Sequence, residues 1–189
     1  MLHALVIALR HWWHHSYWSS WYVYYLTKKH TISLAAYAYT TQSTMTLATF
    51  LTRKKKESRR IAPATKTAFM PPCEGIVLHT TSTLLQLRLL PHHYHRLHFP
   101  VTGTIIAMHE ESPRCHIYII RGLDQTAYHL TINTLSHPHA FVPTPLPKRN
   151  YHLQGTELGC ITTPHAEITL QVSKPLIPAS SEKKEYRFL

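Results

Sequence analysis

Carboxylates are scarce in this chain. Its 189 residues hold nine Asp and Glu against 20 Lys and Arg, a formal charge of +11, and Asp occurs once, at Asp124. Glycine is nearly as rare, with five residues, and the three cysteines stand apart at Cys73, Cys115 and Cys160. Charged residues reach 15%, against roughly 25% in typical domains. Each shortage excludes something. An odd, scattered cysteine set without a CxxC pair excludes a disulfide framework and a cysteine-built zinc site. A hydrophobic content of 44% excludes a disordered charged tail. The low charge leaves surface to be covered by a partner or a membrane. The cation excess favours anionic partners such as RNA, anionic lipid or acidic protein. It suits equally well a basic subunit buried in a larger assembly. The length is that of one domain with a segment to spare, and a chain this long folds without crosslinks.

No acidic residue precedes Glu57. The segment before it is basic and rich in Ser and Thr, the composition of an organellar targeting region. All four Trp lie between Trp12 and Trp21, among Tyr17, Tyr22, Tyr24 and Tyr25. Read as one helix, Leu5, Leu9, Trp13, Tyr17, Trp21 and Tyr25 recur every four residues and form a stripe. Arg10, His11, His14 and His15 interrupt the run of about 20 apolar residues that a membrane span needs. The stripe suits an interfacial helix with an aromatic belt, or a helix docked on a protein partner. Trp13, Tyr17, Trp21 and Tyr25 are the candidate contacts.

From Phe69 onward the pattern is that of β structure. Short apolar or β-branched runs occupy Gly75–Thr81, Leu84–Leu90, Val101–Met108, His116–Ile120, Ala127–Thr134 and Ala166–Val172, with Pro or Gly beside most of them. Pro138, Pro143, Pro145 and Pro147 mark a loop that no central strand tolerates. The end of the chain reads as a polar, basic surface tail. The expected organisation is a helical targeting or interfacial segment over 1–43, a β domain over 44–173 and a basic tail over 174–189. The expected class is α+β, mainly β.

The stretch from Leu90 to Gly103 contains Pro91, Tyr94, His95, Arg96, His98, Pro100 and Gly103. This pattern resembles the active-site motif of phosphatidylserine decarboxylases, Pro-x-Asp-Tyr-His-Arg-x-His-x-Pro-x-x-Gly, with His93 in place of the Asp. Thr49–Lys54 is similar to an upstream Phe-Phe-Thr-Arg segment. Pro72-Cys73-Glu74-Gly75 is similar to Pro-Ala-Asp-Gly, and Arg121-Gly122-Leu123 to a Pro-Gly-x-Leu turn. Gly155–Gly159 is similar to the Gly-x-Glu-x-Gly turn before the family's self-cleavage site. All five glycines fall in these segments, where positive φ or close backbone approach would retain them. The resemblance covers roughly Met45 to Val172.

The resemblance implies a precursor that cuts itself at a Ser and turns that Ser into a pyruvoyl group, the electron sink for decarboxylation. It places His98 at the family's catalytic His, His95 and Arg96 at its neighbours, and Glu74 at the Asp that helps activate the Ser. The cleavage position departs from the pattern. Where the family reads Gly-Ser-Thr, this chain reads Pro164-His165-Ala166. Histidine has no β-hydroxyl or thiol to eliminate, so no pyruvoyl group is expected. Using Thr162 or Thr163 instead needs a slip of two or three residues, and one residue already reverses a strand's faces. The family's Gly-Ala-x-x-Val-Gly segment is also lost, near Ser136–Ala140.

His92, His93, His95 and His98 raise a metal reading. No Cys or Asp stands nearby in sequence to complete a tetrahedral set, so no metal is expected. Arg53, Lys54, Lys55, Lys56, Arg59 and Arg60 form a basic run. It suits an anionic lipid surface, and RNA less well, because no aromatics are interleaved. The expectation is a catalytically inactive decarboxylase-like protein. It would be a structural or accessory subunit of a mitochondrial assembly, either an inner-membrane complex or the ribosome. Two alternatives stay open: an active phosphatidylserine decarboxylase with unusual self-processing, and an anionic-lipid-binding module.

Overall fold

A computed structural model describes residues 2–38, 45–56, 70–135, 137–146, 151–173 and 185–186. The protein is mixed α and β, mainly β, with a small helical segment at its N-terminal end. Three helices, α1 (Leu2–His15), α2 (Trp18–Lys29) and α3 (Leu47–Leu51), flank a two-stranded ribbon of β1 (Tyr37–Ala38) and β2 (Lys54–Lys55).

Two antiparallel sheets follow. The larger runs β12 (Glu185–Tyr186), β3 (Gly75–Thr80), β4 (Leu84–Leu89), β11 (Ala166–Val172), β8 (Ala127–Asn133), β7 (Cys115–Gly122), β6 (Gly103–Ser112). The smaller runs β5 (Arg96–His98), β10 (Glu157–Ile161), β9 (Phe141–Pro143). Alternation along the strands explains the packing. Leu85, Leu87 and Leu89 of β4, Tyr128, Leu130 and Ile132 of β8, and Ile168, Leu170 and Val172 of β11 turn to one face. They share a single core with Leu97, Phe141, Leu158 and Ile161 of the smaller sheet and with Phe99 just past β5. The other face carries residues such as Gln86, Arg88, Glu167, Thr169 and Gln171, and the exposed Arg88 Nη2 meets Glu167 Oε1 at 2.8 Å.

Five of the six expected runs match strands within two residues at each end. The sixth starts at Gly103 and continues to Ser112, because the polar His109–Ser112 extension pairs with Cys115–Ile117 across the Pro113–Arg114 hairpin turn. Besides the two-residue strands β1 and β2, the pattern reading missed the three strands of the smaller sheet: Arg96–His98, Phe141–Pro143 and Glu157–Ile161. Each is short, and two contain Pro or Gly. Pro143 sits on an edge strand, where a missing N–H is tolerated. Within the expected tail, Glu185–Tyr186 add a short edge strand to β3.

The single aromatic stripe needs correction. The helix ends at His15 and a second begins at Trp18, so residues before and after the break do not share one continuous face. The Ser16 hydroxyl donates to the Trp13 carbonyl (2.8 Å), a local bond that competes with helix propagation. Behind the break, Ser19 Oγ accepts the Leu47 N–H (2.9 Å), which satisfies the first turn of α3. Val23, Leu26, Met45, Leu47, Phe50 and Leu51 form a second, smaller core.

Candidate functional site

Two arginines join the helical segment to the smaller sheet. Arg53 is 3% exposed. Its Nη1 donates to the Phe50 carbonyl (2.8 Å), and its Nη2 to the carbonyls of His92 (3.0 Å) and His93 (2.8 Å). Its guanidinium lies over the rings of Phe50 and Tyr37, 4.0 and 4.9 Å from their centroids. Arg96 donates to the carbonyls of Thr52 (2.7 Å) and Arg53 (3.1 Å), and its Nη1 pairs with the Glu157 carboxylate. Thr144 Oγ1 also donates to that carboxylate (3.0 Å). A short helix ends with orphan carbonyls, and these two fork-shaped cations satisfy several of them. Arg53 is therefore architectural, and its buried guanidinium offers nothing to an anionic surface, contrary to the reading of the basic run. Lys54 and Lys56 are exposed, and Lys55 is half-buried. Arg59 and Arg60 lie outside the described residues.

The Arg96–Glu157 pair forms one wall beside a cavity of about 240 Å³, lined by Lys54, Lys55, Tyr94, His98 and the Gly155–Glu157 turn. The turn is set by Gly155, whose φ of +80° disfavours any side chain. Its carbonyl meets His98 Nδ1 at 2.9 Å. The rings of Tyr94 and His98 stack with centroids 5.9 Å apart. Lys55 Nζ sits 5.5 Å from the Tyr94 centroid.

Burial controls the titration of these groups. Burial holds the His98 imidazole down at about 4, partly opposed by its bond to the Gly155 carbonyl. Burial and the Arg53 charge hold His95 at about 3. Both rings are neutral at physiological pH. Burial pushes the Tyr94 phenol up to about 12. The cavity therefore carries two ammonium groups, a neutral imidazole, a neutral phenol and one carboxylate already occupied by Arg96. Its volume is below the roughly 300 Å³ at which ordinary ligand pockets begin, so it would take a small charged group rather than a whole ligand.

Of the residues selected from sequence, His98, Lys54 and Lys55 meet at this cavity. Glu74 is buried behind it and accepts the Tyr94 N–H (2.9 Å). His95 is fully buried, and its Nε2 lies 3.0 Å from the Leu90 carbonyl. Pro164 and His165 are not among the residues lining the cavity. Strand β10 starts opposite His98, passes His95, whose carbonyl accepts the Ile161 N–H, and only then turns to Pro164 and His165. His165 is exposed, and partial burial and the Arg88 charge lower its pKa. Thr162 Oγ1 donates to the Ala140 carbonyl (3.1 Å). Pro164 and His165 carry no β-hydroxyl or thiol.

Sequence reading missed the roles of Arg53, Tyr94 and Glu157. Tyr94 and Glu157 stood in the motifs, but neither was singled out as a wall of the cavity. Among the described residues no group of three or more His, Cys, Asp or Glu could hold a metal ion. His92 instead stacks flat on His30 of the α2 C-cap, with centroids 3.6 Å apart. Among the described residues no helix is long and apolar enough to cross a membrane.

Comparison with family models, with curated proteins and with solved structures finds no match to this chain.

Proposed function

We propose that the chain is a phosphatidylserine-decarboxylase-like protein that has given up its chemistry and serves as an accessory subunit of a mitochondrial assembly. The turn between β10 and β11 carries this reading. It presents Pro164 and an exposed His165 where self-processing needs a Gly and a Ser. An imidazole side chain has no β-oxygen to leave as the ester eliminates, so the electron sink is never made. The motif residues Arg53, Arg96 and Glu74 are accounted for by architecture. Each holds backbone groups in place, so their presence does not require catalysis. The mitochondrial part of the proposal rests on the basic, acid-poor N-terminal composition, and the subunit part on the low share of charged residues.

Separating a mitochondrial extract on a density gradient, with the chain followed by antibody, tests the subunit role. The chain is expected in a fraction far heavier than its own 21.9 kDa. Free migration as a monomer would contradict it.

The cavity favours a second reading, a module that holds an anionic headgroup without reacting. Lys54 and Lys55 supply the charge, and His98 and Tyr94 supply hydrogen bonds. Selective retention of phosphatidylserine over phosphatidylglycerol, lost in His98→Ala, would support it. Equal retention of both lipids would sink it. The remaining alternative is an active enzyme with unusual self-processing at Thr162 or Thr163, of which Thr162 already donates to the Ala140 carbonyl. Thr163 is buried, and its hydroxyl makes no hydrogen bond among the described residues.

A further inference from the structure

Helix α2 is apolar on two sides. Val23 and Leu26 are buried in the small helical core. The opposite face repeats at Trp18, Trp21, Tyr25 and Lys28/Lys29, the spacing of one helical stripe. Trp18, Trp21, Tyr24 and Tyr25 are 62%, 66%, 60% and 51% exposed. Trp12, Trp13 and Tyr17 next to them are exposed as well. A helix with apolar groups on both sides is built to be covered on both.

The type of residue narrows the cover. Every exposed large apolar side chain from Trp12 to Tyr25 is Trp or Tyr, and none is Leu, Ile, Phe or Met. Rings with one polar handle on an apolar body favour the headgroup level of a bilayer. The charge is equally one-sided. Lys28 and Lys29 stand at the end of this face with their ammonium groups 5.7 and 5.3 Å from the Tyr24 and Tyr25 centroids, and no carboxylate occurs anywhere before Glu57. Trp and Tyr suit a protein interface as well, so the charge decides: a segment with two terminal lysines and no carboxylate before Glu57 fits a continuous anionic surface. An anionic bilayer matches the residue type and the charge. A groove of about 660 Å³ adjoins the face, shares Tyr24 and Lys28 with it, and is lined by Val23, Ile32, Leu34 and Met45. It gives the surface apolar depth below its cationic rim.

We infer that the Trp18–Lys29 helix lies in the plane of an anionic phospholipid bilayer, with its Trp/Tyr face at headgroup depth and Lys28 and Lys29 on the lipid phosphates. The inference stands on the helix alone and does not depend on the loss of chemistry in the β domain.

All four tryptophans lie in Trp12–Trp21, so intrinsic fluorescence reports on this region without a label. The full-length protein is titrated with vesicles of phosphatidylcholine alone, and of phosphatidylcholine mixed with phosphatidylglycerol, each with and without brominated acyl chains. Phosphatidylglycerol keeps any serine-headgroup preference of the β-domain cavity out of the result. A blue shift, quenching by the brominated chains and weakening by salt are expected with the anionic vesicles. The variant Lys28→Gln/Lys29→Gln should lose about fivefold in affinity for each lysine. Trp18→Ser/Trp21→Ser should lose at least about tenfold, with an unchanged unfolding curve as the check on folding. Absence of vesicle binding would overturn the inference, as would binding without quenching or binding indifferent to both double variants. The first of these results would point to a protein partner on this face.

Discussion

The two regions of this molecule treat their apolar residues in opposite ways. The β domain turns Leu, Ile, Val and Phe inward from both sheets and closes them into one core. The helical segment buries only a handful of aliphatic groups and turns its tryptophans and most of its tyrosines outward. The first arrangement stabilises a fold. The second spends apolar area on solvent, which costs solubility unless something covers it. Function is thus best sought on the helical face, while the motif-like residues of the β domain are mostly explained by how the chain is held together.

That contrast can be broken most severely at Arg53. Its guanidinium satisfies three carbonyls from two parts of the chain and sits on two aromatic rings. Arg53→Ala should cost about 3 kcal/mol in denaturant unfolding, since buried charge-assisted bonds are lost together. A loss below about 0.5 kcal/mol would return Arg53 to the list of surface contacts.

Acid comes next. His95 and His98 have depressed pKa values in the fold, about 3 and about 4, against 6.5 for the ordinary imidazole. The unfolded chain therefore takes up protons below about pH 6.5 that the folded chain refuses. Stability is full above that pH and falls as pH drops toward the folded values. Between pH 6.5 and 5 each histidine should cost about 2 kcal/mol. Unfolding curves across this range check it, and His98→Gln should remove about half of the slope. A flat profile would mean that the rings are reached by water.

A smaller effect is expected at Gly155. Its positive φ builds the turn that offers a carbonyl to His98. Gly155→Ala should cost about 1 to 2 kcal/mol by thermal unfolding. Smallest of all, Trp18→Ser/Trp21→Ser should leave stability within about 0.5 kcal/mol, because both rings already face solvent. A larger loss would show that these rings support the fold, and the contrast between the two regions would disappear.

Much of the architecture could be read from the residues, for identifiable reasons. The large-sheet strands were legible because β-branched and apolar runs alternate between Gly and Pro breaks, as in Ala127–Asn133 and Ala166–Val172. The three strands of the smaller sheet were not, because Arg96–His98, Phe141–Pro143 and Glu157–Ile161 are too short for a period to show. Their pairing is set by tertiary contacts such as the Phe99 and Gly155 backbone bond. At the break between the first two helices the Ser16 hydroxyl bonds the Trp13 carbonyl, a local choice that no periodicity reveals. In the candidate site, the meeting of His98 with Lys54 and Lys55 joins segments more than 40 residues apart. Sequence spacing named the parts without showing that Arg53, their neighbour, points inward.

The most direct test of the proposed loss of chemistry is the intact mass of the protein purified from its native source. The account predicts one chain uncut between Gly159 and Ala166, with no borohydride-reducible carbonyl. Two fragments divided in that interval, the smaller one carrying a pyruvoyl or 2-oxobutanoyl mass at its new end, would contradict it and restore an enzyme.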